Sequence, residues 1–289
     1  MELELTAPQH TAEVQAGDRF EFGKNWASFL STLTEERIKT AEESLLKMLD
    51  VTSLEGSSFL DIGCGSGLFS LAARRLGANV FSFDFDPQSV NCALDLRRRY
   101  FEGDGGWQIR QGSVLDRDFI GSLGKFDVVY SWGVLHHTGK MWEALDLASS
   151  LVKDDGKLFI AIYNDTGSQA ARWQWIKRTY CRLPGPAKVP FAVAVTSPGE
   201  AKQFASSLLR GRPAEYFQTW RNYKQRRGMS KWHDIIDWVG GYPYEYAGAG
   251  AIFDFYKKRG FHLVTLKCDR VGLGCNEFVF QRSKDPQFN

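Results

Sequence analysis

The chain has 289 residues, of which 43% are hydrophobic and 24% are charged, and its formal net charge at pH 7 is +2. These values are ordinary for a globular protein, and the length predicts one domain with an elaboration. The near-neutral charge excludes a general electrostatic case for nucleic-acid binding.

The cysteines and the apolar stretches indicate the cellular compartment of the protein. The five cysteines are scattered and form no C-x-x-C pair, which argues against a disulfide framework or a zinc site. The first residues lack the pattern of a secretory signal, and no stretch approaches 18 apolar residues. We therefore expect a cytoplasmic protein that uses no metal.

Residues 1–55 are predicted to form an N-terminal helical cap. The segment TEERIKTAEESLLKML reads as a helix with Thr34 as its N-cap and acidic residues in its first turn. Before it, RFEFGKNW (19–26) sets a glycine between aromatic residues.

Residues 56–163 and 248–289 alternate apolar strands with helical stretches, which is typical of a doubly wound α/β sheet. Strands are predicted at 57–63, 78–84, 107–111, 126–132 and 157–163, with helices between them. A late helix at 251–260 precedes strands at 261–267 and 277–282. Their connection is too short for a crossover helix, so this last pair should be antiparallel.

Residues 164–247 form a predicted helical insertion, with helices at about 168–182, 200–210 and 213–227 separated by LPGP, TSPG and GRP breaks. Between Arg172 and Lys231 the chain carries thirteen Lys/Arg and two Asp/Glu, interleaved with aromatic residues. Three interpretations of this insertion stay open. It could be a lid that selects an anionic or aromatic substrate, or a surface that rests on anionic lipid. It could also consist of ordinary amphipathic helices with solvated charges, including helices that form a homodimer contact. The lid is the interpretation we adopt, and membrane contact is not favoured.

The motif D-I-G-C-G-S-G (61–67) ends the first strand and opens a helix. Glycines there allow a sharp turn that brings backbone N–H groups close to a ligand. A dinucleotide fingerprint would require Gly or Ala at position 68, where this chain has Leu68. Asp61 is instead suited to accept a hydrogen bond from a ligand ammonium.

Together these features resemble class I (seven-stranded) S-adenosylmethionine-dependent methyltransferases, especially the small-molecule branch with the ubiquinone-biosynthesis methylases. The resemblance covers residues 57–163 and implies a Rossmann-like sheet of order 3-2-1-4-5-7-6 with the last strand antiparallel. It implies S-adenosylmethionine as cofactor, with S-adenosylhomocysteine as product.

The resemblance also assigns cofactor-facing residues. Asp61 would hold the amino group of the methionine part, and Asp84 would accept from both ribose hydroxyls. Phe85 would pack on the adenine, which Ser113 and Val114 would contact in place of the family's usual aspartate. The remaining residues assigned to the cofactor are Gly63, Cys64, Gly65, Gly67 and Trp132.

Methyl transfer to a hydroxyl or a protonated amine also needs a base. SWGVLHHT (131–138) follows the fourth strand at the ligand-binding edge, so His136 or His137 is a candidate, with a purely structural role as the alternative. His233 is a further candidate, because a helix would place Asp237 on the same face, although a structural pair is the alternative. Candidate lid and substrate residues are Phe22, Asn25, Trp26, Tyr242 and Tyr244.

The sequence thus predicts a methyltransferase for a small-molecule acceptor, with oxygen the first expectation and sulfur or nitrogen close behind. The alternatives are a membrane-associated or macromolecular acceptor, an NAD(P)-dependent oxidoreductase on a related fold, and a non-catalytic scaffold that binds the cofactor. No nucleic-acid partner is expected.

Overall fold

The computed structural model describes residues 6–223, 230–268 and 272–284. A seven-stranded sheet of order β3-β2-β1-β4-β5-β7-β6 forms its centre. The five strands from β3 to β5 are parallel to their neighbours, and β7 is antiparallel to both β5 and β6. The predicted fold class and strand order are therefore confirmed.

The strands follow the short apolar runs of the sequence. Their bounds are β1 Ser58–Ile62, β2 Asn79–Asp84, β3 Trp107–Gln111, β4 Phe126–Trp132, β5 Val152–Tyr163, β6 Phe261–Lys267 and β7 Cys275–Arg282. β5 begins five residues earlier than predicted, through a register irregularity opposite Phe126 and Val128.

Helices lie before the first strand, between the strands, and in the insertion after β5. Their bounds are α1 Thr6–Gln15, α2 Gly23–Leu30, α3 Glu35–Leu49, α4 Leu68–Arg75, α5 Pro87–Tyr100, α6 Arg117–Ser122, α7 Met141–Ser150, α8 Ser168–Arg182, α9 Gly185–Leu209, α10 Pro213–Arg221, α11 Lys231–Gly240 and α12 Ala249–Lys257. Thr34 caps α3 as predicted, because its side chain accepts a hydrogen bond from the Arg37 N–H.

The core lies on both faces of the sheet, which explains why the strands read as continuous apolar runs. On one face, Leu145 of α7 and Ile252 of α12 pack against the strands. On the other face, Leu45 of α3 and Leu71 of α4 are fully buried. Burial of each such side chain stabilises the fold by about 1.5–3 kcal/mol.

The break predicted at TSPG is wrong, because α9 continues through Pro198. Proline removes the N–H that would bond the carbonyl four residues earlier, here that of Ala194. The Ser197 hydroxyl donates to that carbonyl over 3.2 Å and replaces the lost bond. The predicted end of α10 near residue 227 lies outside the described residues, and no described helix is both long and apolar enough to cross a membrane.

Candidate functional site

The turn after β1 is shaped by glycines. Gly63 has a φ of +74°, and a Cβ there would lie 2.3 Å from the Val134 side chain. Gly67 has a φ of +80° at the start of α4, where a Cβ would lie 2.9 Å from the Cα of Ala93. Neither position accepts a side chain, so the turn can pass close to α5 and to the loop after β4.

Two carboxylates, the buried Asp61 and the half-buried Asp84, lie at the carboxyl ends of β1 and β2. Asp84 accepts hydrogen bonds from the N–H groups of Gly65 and Asp86, each over 2.9 Å. Burial nevertheless raises the pKa of Asp84 to about 6. Burial also raises the pKa of Asp61 to about 7, although the hydrogen bond from Ser70 acts to lower it. Both carboxylates thus lie on the wall of a cavity.

The cavity, of about 900 Å³, runs along this edge of the sheet. Its wall near Asp84 includes Phe85, Ser113 and Val114, the residues that the resemblance assigned to the adenine. The Arg19 guanidinium lies 4.8 Å from the centre of the Phe85 ring, so the N-terminal segment also reaches this end. Gly63, Cys64, Gly65 and Trp132 line the cavity, whereas Gly67 shapes the turn from the start of α4.

The three candidate histidines lie in different surroundings. His137 lines the cavity and its Nδ1 donates to the Pro243 carbonyl, which leaves Nε2 as an acceptor. Burial lowers the pKa of His137 to about 3. His136 is fully buried behind it, with its ring centre 4.1 Å from that of Tyr163. His233 is exposed and bonds to Ser230 at the start of α11.

The expected pairing of His233 with Asp237 is replaced by two separate contacts. Asp237 lines the cavity and accepts a hydrogen bond from the Asn25 side chain. Burial, followed by the charge of Asp234, raises the pKa of Asp237 to about 7. Asp237 therefore faces the candidate site, while His233 lies outside it.

The N-terminal segment closes one side of the cavity. Phe22 and Trp26 line it, and Asn25 ties α2 to α11 through Asp237. Tyr242 accepts a hydrogen bond at its carbonyl from the Phe20 N–H over 2.8 Å. Tyr244 is buried behind the wall, where its ring centre lies 4.9 Å from that of Tyr163.

Lys177 and Tyr163, which were not predicted as site residues, line the end of the cavity near α11. Lys177 is 1% exposed although it lies in the basic insertion. The signal was its spacing, because Trp173 and Tyr180 precede and follow it on the same face of α8. These three residues were not recognised as one face of a helix, because aromatic and basic residues alternate throughout the insertion.

Comparisons with known proteins agree with this geometry. A family model described as a methyltransferase domain matches residues 33–192, just over half of the chain. A ubiquinone biosynthesis O-methyltransferase from Xanthomonas euvesicatoria is 33% identical over 114 residues, which are 39% of this chain and 46% of that protein. The chain therefore spans about half the length of the curated relatives it matches.

Solved structures share the fold at low sequence identity. Magnesium protoporphyrin IX methyltransferase from Synechocystis PCC 6803 with bound SAH is 14% identical, with a TM-score of 0.51 over 85% of this chain and 83% of that one. PKMT2 from Rickettsia typhi in complex with AdoHcy is 12% identical, with a TM-score of 0.54 over 85% of this chain and 53% of that one.

The family match and the strand order favour a methyltransferase over the dinucleotide-dependent alternative. They confirm the resemblance drawn from residues 57–163. The chain belongs to the methyltransferase-domain family and has the sheet of the class I S-adenosylmethionine-dependent methyltransferases.

Proposed function

We propose that the protein binds S-adenosylmethionine at the carboxyl ends of β1 and β2 and catalyses methyl transfer to a hydroxyl oxygen of a small aromatic acceptor. The observation that carries this proposal is one cavity with two ends. The carboxylates of Asp61 and Asp84 lie at one end, and aromatic rings with Lys177 and Asp237 lie at the other.

The residues at the first end fit the cofactor. Asp61 and Asp84 are carboxylates that can each accept further hydrogen bonds beside those from Ser70, Gly65 and Asp86. A ligand with an ammonium and two neighbouring hydroxyls supplies the donors they lack, Asp61 taking the ammonium and Asp84 the hydroxyls. Phe85 offers a ring face for a planar base, and Ser113 a polar side chain beside it.

When bound, S-adenosylmethionine supplies an electrophilic methyl group. The chain's own task is to align an acceptor atom with that group and to exclude water. Phe22 and Trp26 of the N-terminal segment and Trp238 of α11 line the cavity and restrict its access to water. His137, held by Pro243, presents an acceptor nitrogen that orients a donor group.

The lining of the second end supports an aromatic acceptor. Phe20, Phe22 and Trp238 present rings there, together with Tyr163. Ring stacking and edge contacts favour a flat, apolar ligand with polar substituents. The names of the curated relatives, which are O-methyltransferases, support oxygen as the atom that receives the methyl group. Sulfur and nitrogen follow as alternatives.

The test is S-adenosylhomocysteine release from S-adenosylmethionine against a panel of phenols, aliphatic alcohols, thiols and aromatic amines. Selective turnover of phenols is the expected result. Turnover of thiols or amines alone would replace the acceptor class, whereas tight cofactor binding without turnover of any small acceptor would favour a macromolecular one. The Asp84→Ala variant, whose affinity for the cofactor is expected to be lower, serves as the control at a subsaturating concentration of S-adenosylmethionine.

A further inference from the structure

Lys177 projects from α8 into an aromatic enclosure at the acceptor end of the cavity. Its Nζ lies 4.2 Å from the ring centre of Trp238, 5.0 Å from that of Tyr244 and 5.9 Å from that of Trp173. The Trp238 carbonyl accepts a hydrogen bond from the amine. The amine is therefore held in place while its side chain is 1% exposed.

A second lysine of the insertion provides the contrast. Lys231 lies 4.5 Å from the ring centre of Trp220, but it also forms an ion pair with Glu200 over 2.6 Å. Among residues 6–223, 230–268 and 272–284, no carboxylate lies within ion-pair distance of Lys177. The carboxylate of Asp237 in the same wall accepts instead from Asn25.

A buried ammonium without a paired carboxylate is costly, so burial shifts the equilibrium towards the neutral amine. Burial lowers the pKa of Lys177 to about 7, although Cys181 and Asp237 act in the opposite direction. The titratable groups that face it from its own helix and the neighbouring segments are Cys181, Asp237, Tyr244, His136 and His137.

His136 and His137 are less suited than Lys177 to accept a proton. Burial lowers the pKa of His137 to about 3 and that of His136 well below its ordinary value. An imidazole with so low a pKa holds a transferred proton poorly. An amine whose pKa lies near neutrality holds the proton better at physiological pH.

We propose that Lys177, as a neutral amine, accepts the hydroxyl proton of the acceptor during methyl transfer, an assignment that rests on the proposed function. The acceptor oxygen forms its bond to the methyl carbon while the carbon–sulfur bond breaks and leaves its electron pair on sulfur. The proton passes from that oxygen to Lys177 Nζ. The resulting ammonium is held by the Trp238 carbonyl and the surrounding rings.

The first test compares Lys177→Met and Lys177→Arg with the matched control Lys231→Met, using phenols of graded acidity. For weakly acidic phenols we expect kcat/KM to fall by about 10²-fold or more in both Lys177 variants, because the proton acceptor is lost. For p-nitrophenol, which ionises in water near neutrality, the loss should be small. An equal loss for every phenol would indicate a structural role and overturn the assignment, as would turnover of thiols or amines without phenols.

The variants are expected to fold. Lys177→Met exchanges a buried amine for an apolar side chain of similar length, so its thermal midpoint should equal or exceed that of the wild type. A Lys177→Met variant that loses activity while keeping its midpoint and its affinity for S-adenosylhomocysteine supports the assignment. Unchanged kcat/KM for weakly acidic phenols in that variant contradicts it.

A second test needs no acceptor and separates this inference from the proposed function. Nuclear magnetic resonance of protein labelled at lysine Cε follows each amine as pH changes, and the Lys177→Arg variant identifies the Lys177 signal. Titration of Lys177 near neutrality, well apart from the other lysines, supports the assignment even if no tested acceptor is methylated. Titration of Lys177 together with the exposed lysines overturns it even if phenols are methylated.

Discussion

At the scale of residues, the site depends on charged groups that the fold keeps out of water. Asp61 and Asp84 lie near the carboxyl ends of parallel strands and accept hydrogen bonds from nearby backbone or hydroxyl groups, yet burial dominates their pKa values. Such groups are costly in the free protein and become favourable when a ligand supplies donors. Under the proposed function, the ionisation of these carboxylates therefore sets the affinity for the cofactor.

The Asp84→Ala variant should bind S-adenosylhomocysteine more weakly by about 2 kcal/mol, because a charged acceptor of hydrogen bonds is lost. Isothermal titration calorimetry measures the difference. The control is Asp104→Ala, which removes a carboxylate that pairs with Arg74 away from the cavity. Equal affinities of Asp84→Ala and the wild type would remove Asp84 from the cofactor site.

The affinity for S-adenosylhomocysteine should rise with pH across the range from below 6 to above 7. The pKa values of Asp84 and Asp61 are raised to about 6 and about 7, so both carboxyls are mostly protonated below this range and ionised above it. Only the ionised forms accept from the ammonium and the hydroxyls with full strength. Calorimetric titrations at several pH values test this, and an affinity that falls with rising pH contradicts it.

Several of these residues were predictable and others were not. The glycine turn, Asp61 and Asp84 follow from local order, since a strand end, a turn and a helix start are adjacent in sequence. Lys177 and Asp237 meet the cavity only because α8 and α11 pack together, about 60 residues apart along the chain. The sequence predicted Asp237 as a partner of His233 and gave no separate role to Lys177, whereas packing brings both Asp237 and Lys177 to the cavity.

At the scale of elements, the end of the cavity proposed for the acceptor is built largely by segments outside the sheet. The N-terminal segment contacts the insertion through Phe20, which bonds to the Tyr242 carbonyl, and through Asn25. Arg19 adds a hydrogen bond to the His137 carbonyl over 3.2 Å. These contacts hold α2 and α11 against each other across the cavity.

The Asn25→Ala variant should raise KM for the acceptor by roughly tenfold, because the bond between α2 and Asp237 is worth about 1.4 kcal/mol. Affinity for S-adenosylhomocysteine should change less, since Asp61 and Asp84 are untouched. Steady-state kinetics and calorimetry measure the two effects. Gln9→Ala, which removes a bond to Glu13 on the exposed side of α1, is the control. A larger loss of cofactor affinity than of acceptor affinity would assign Asn25 to the cofactor end of the cavity.

The element pattern itself was largely predictable, with one instructive failure. Alternation of apolar strands and helices predicted the sheet, because buried parallel strands have a distinctive composition. The TSPG sequence predicted a break at Pro198, but Ser197 satisfies the carbonyl that the proline leaves. A side chain one residue away thus replaced the missing backbone donor.

At the scale of the whole molecule, the cavity joins segments that are distant in sequence. Its walls include residues from the N-terminal segment, the sheet and the insertion. A ligand that contacts all three binds only the folded chain. Ligand binding and global stability are therefore coupled.

Saturation with S-adenosylhomocysteine at about 100 times its dissociation constant should stabilise the fold by about 2.7 kcal/mol. For a chain of this size, that corresponds to a rise in the thermal midpoint of roughly 5 °C. Differential scanning calorimetry measures the rise, and the same ligand concentration should raise the midpoint of Asp84→Ala much less. An equal rise in both proteins would show that the ligand binds elsewhere.

The division of the cavity between sheet and insertion has an evolutionary consequence. Asp61 and Asp84 end strands of the sheet, whereas Lys177, Asp237 and Trp238 belong to the segment inserted after β5. Under the proposed function, substitutions in that segment alter the choice of acceptor and leave the methyl-donor end intact. Descendants of one ancestral enzyme can therefore diverge in substrate by exchanging or remodelling a single stretch of chain, while selection keeps the donor end unchanged.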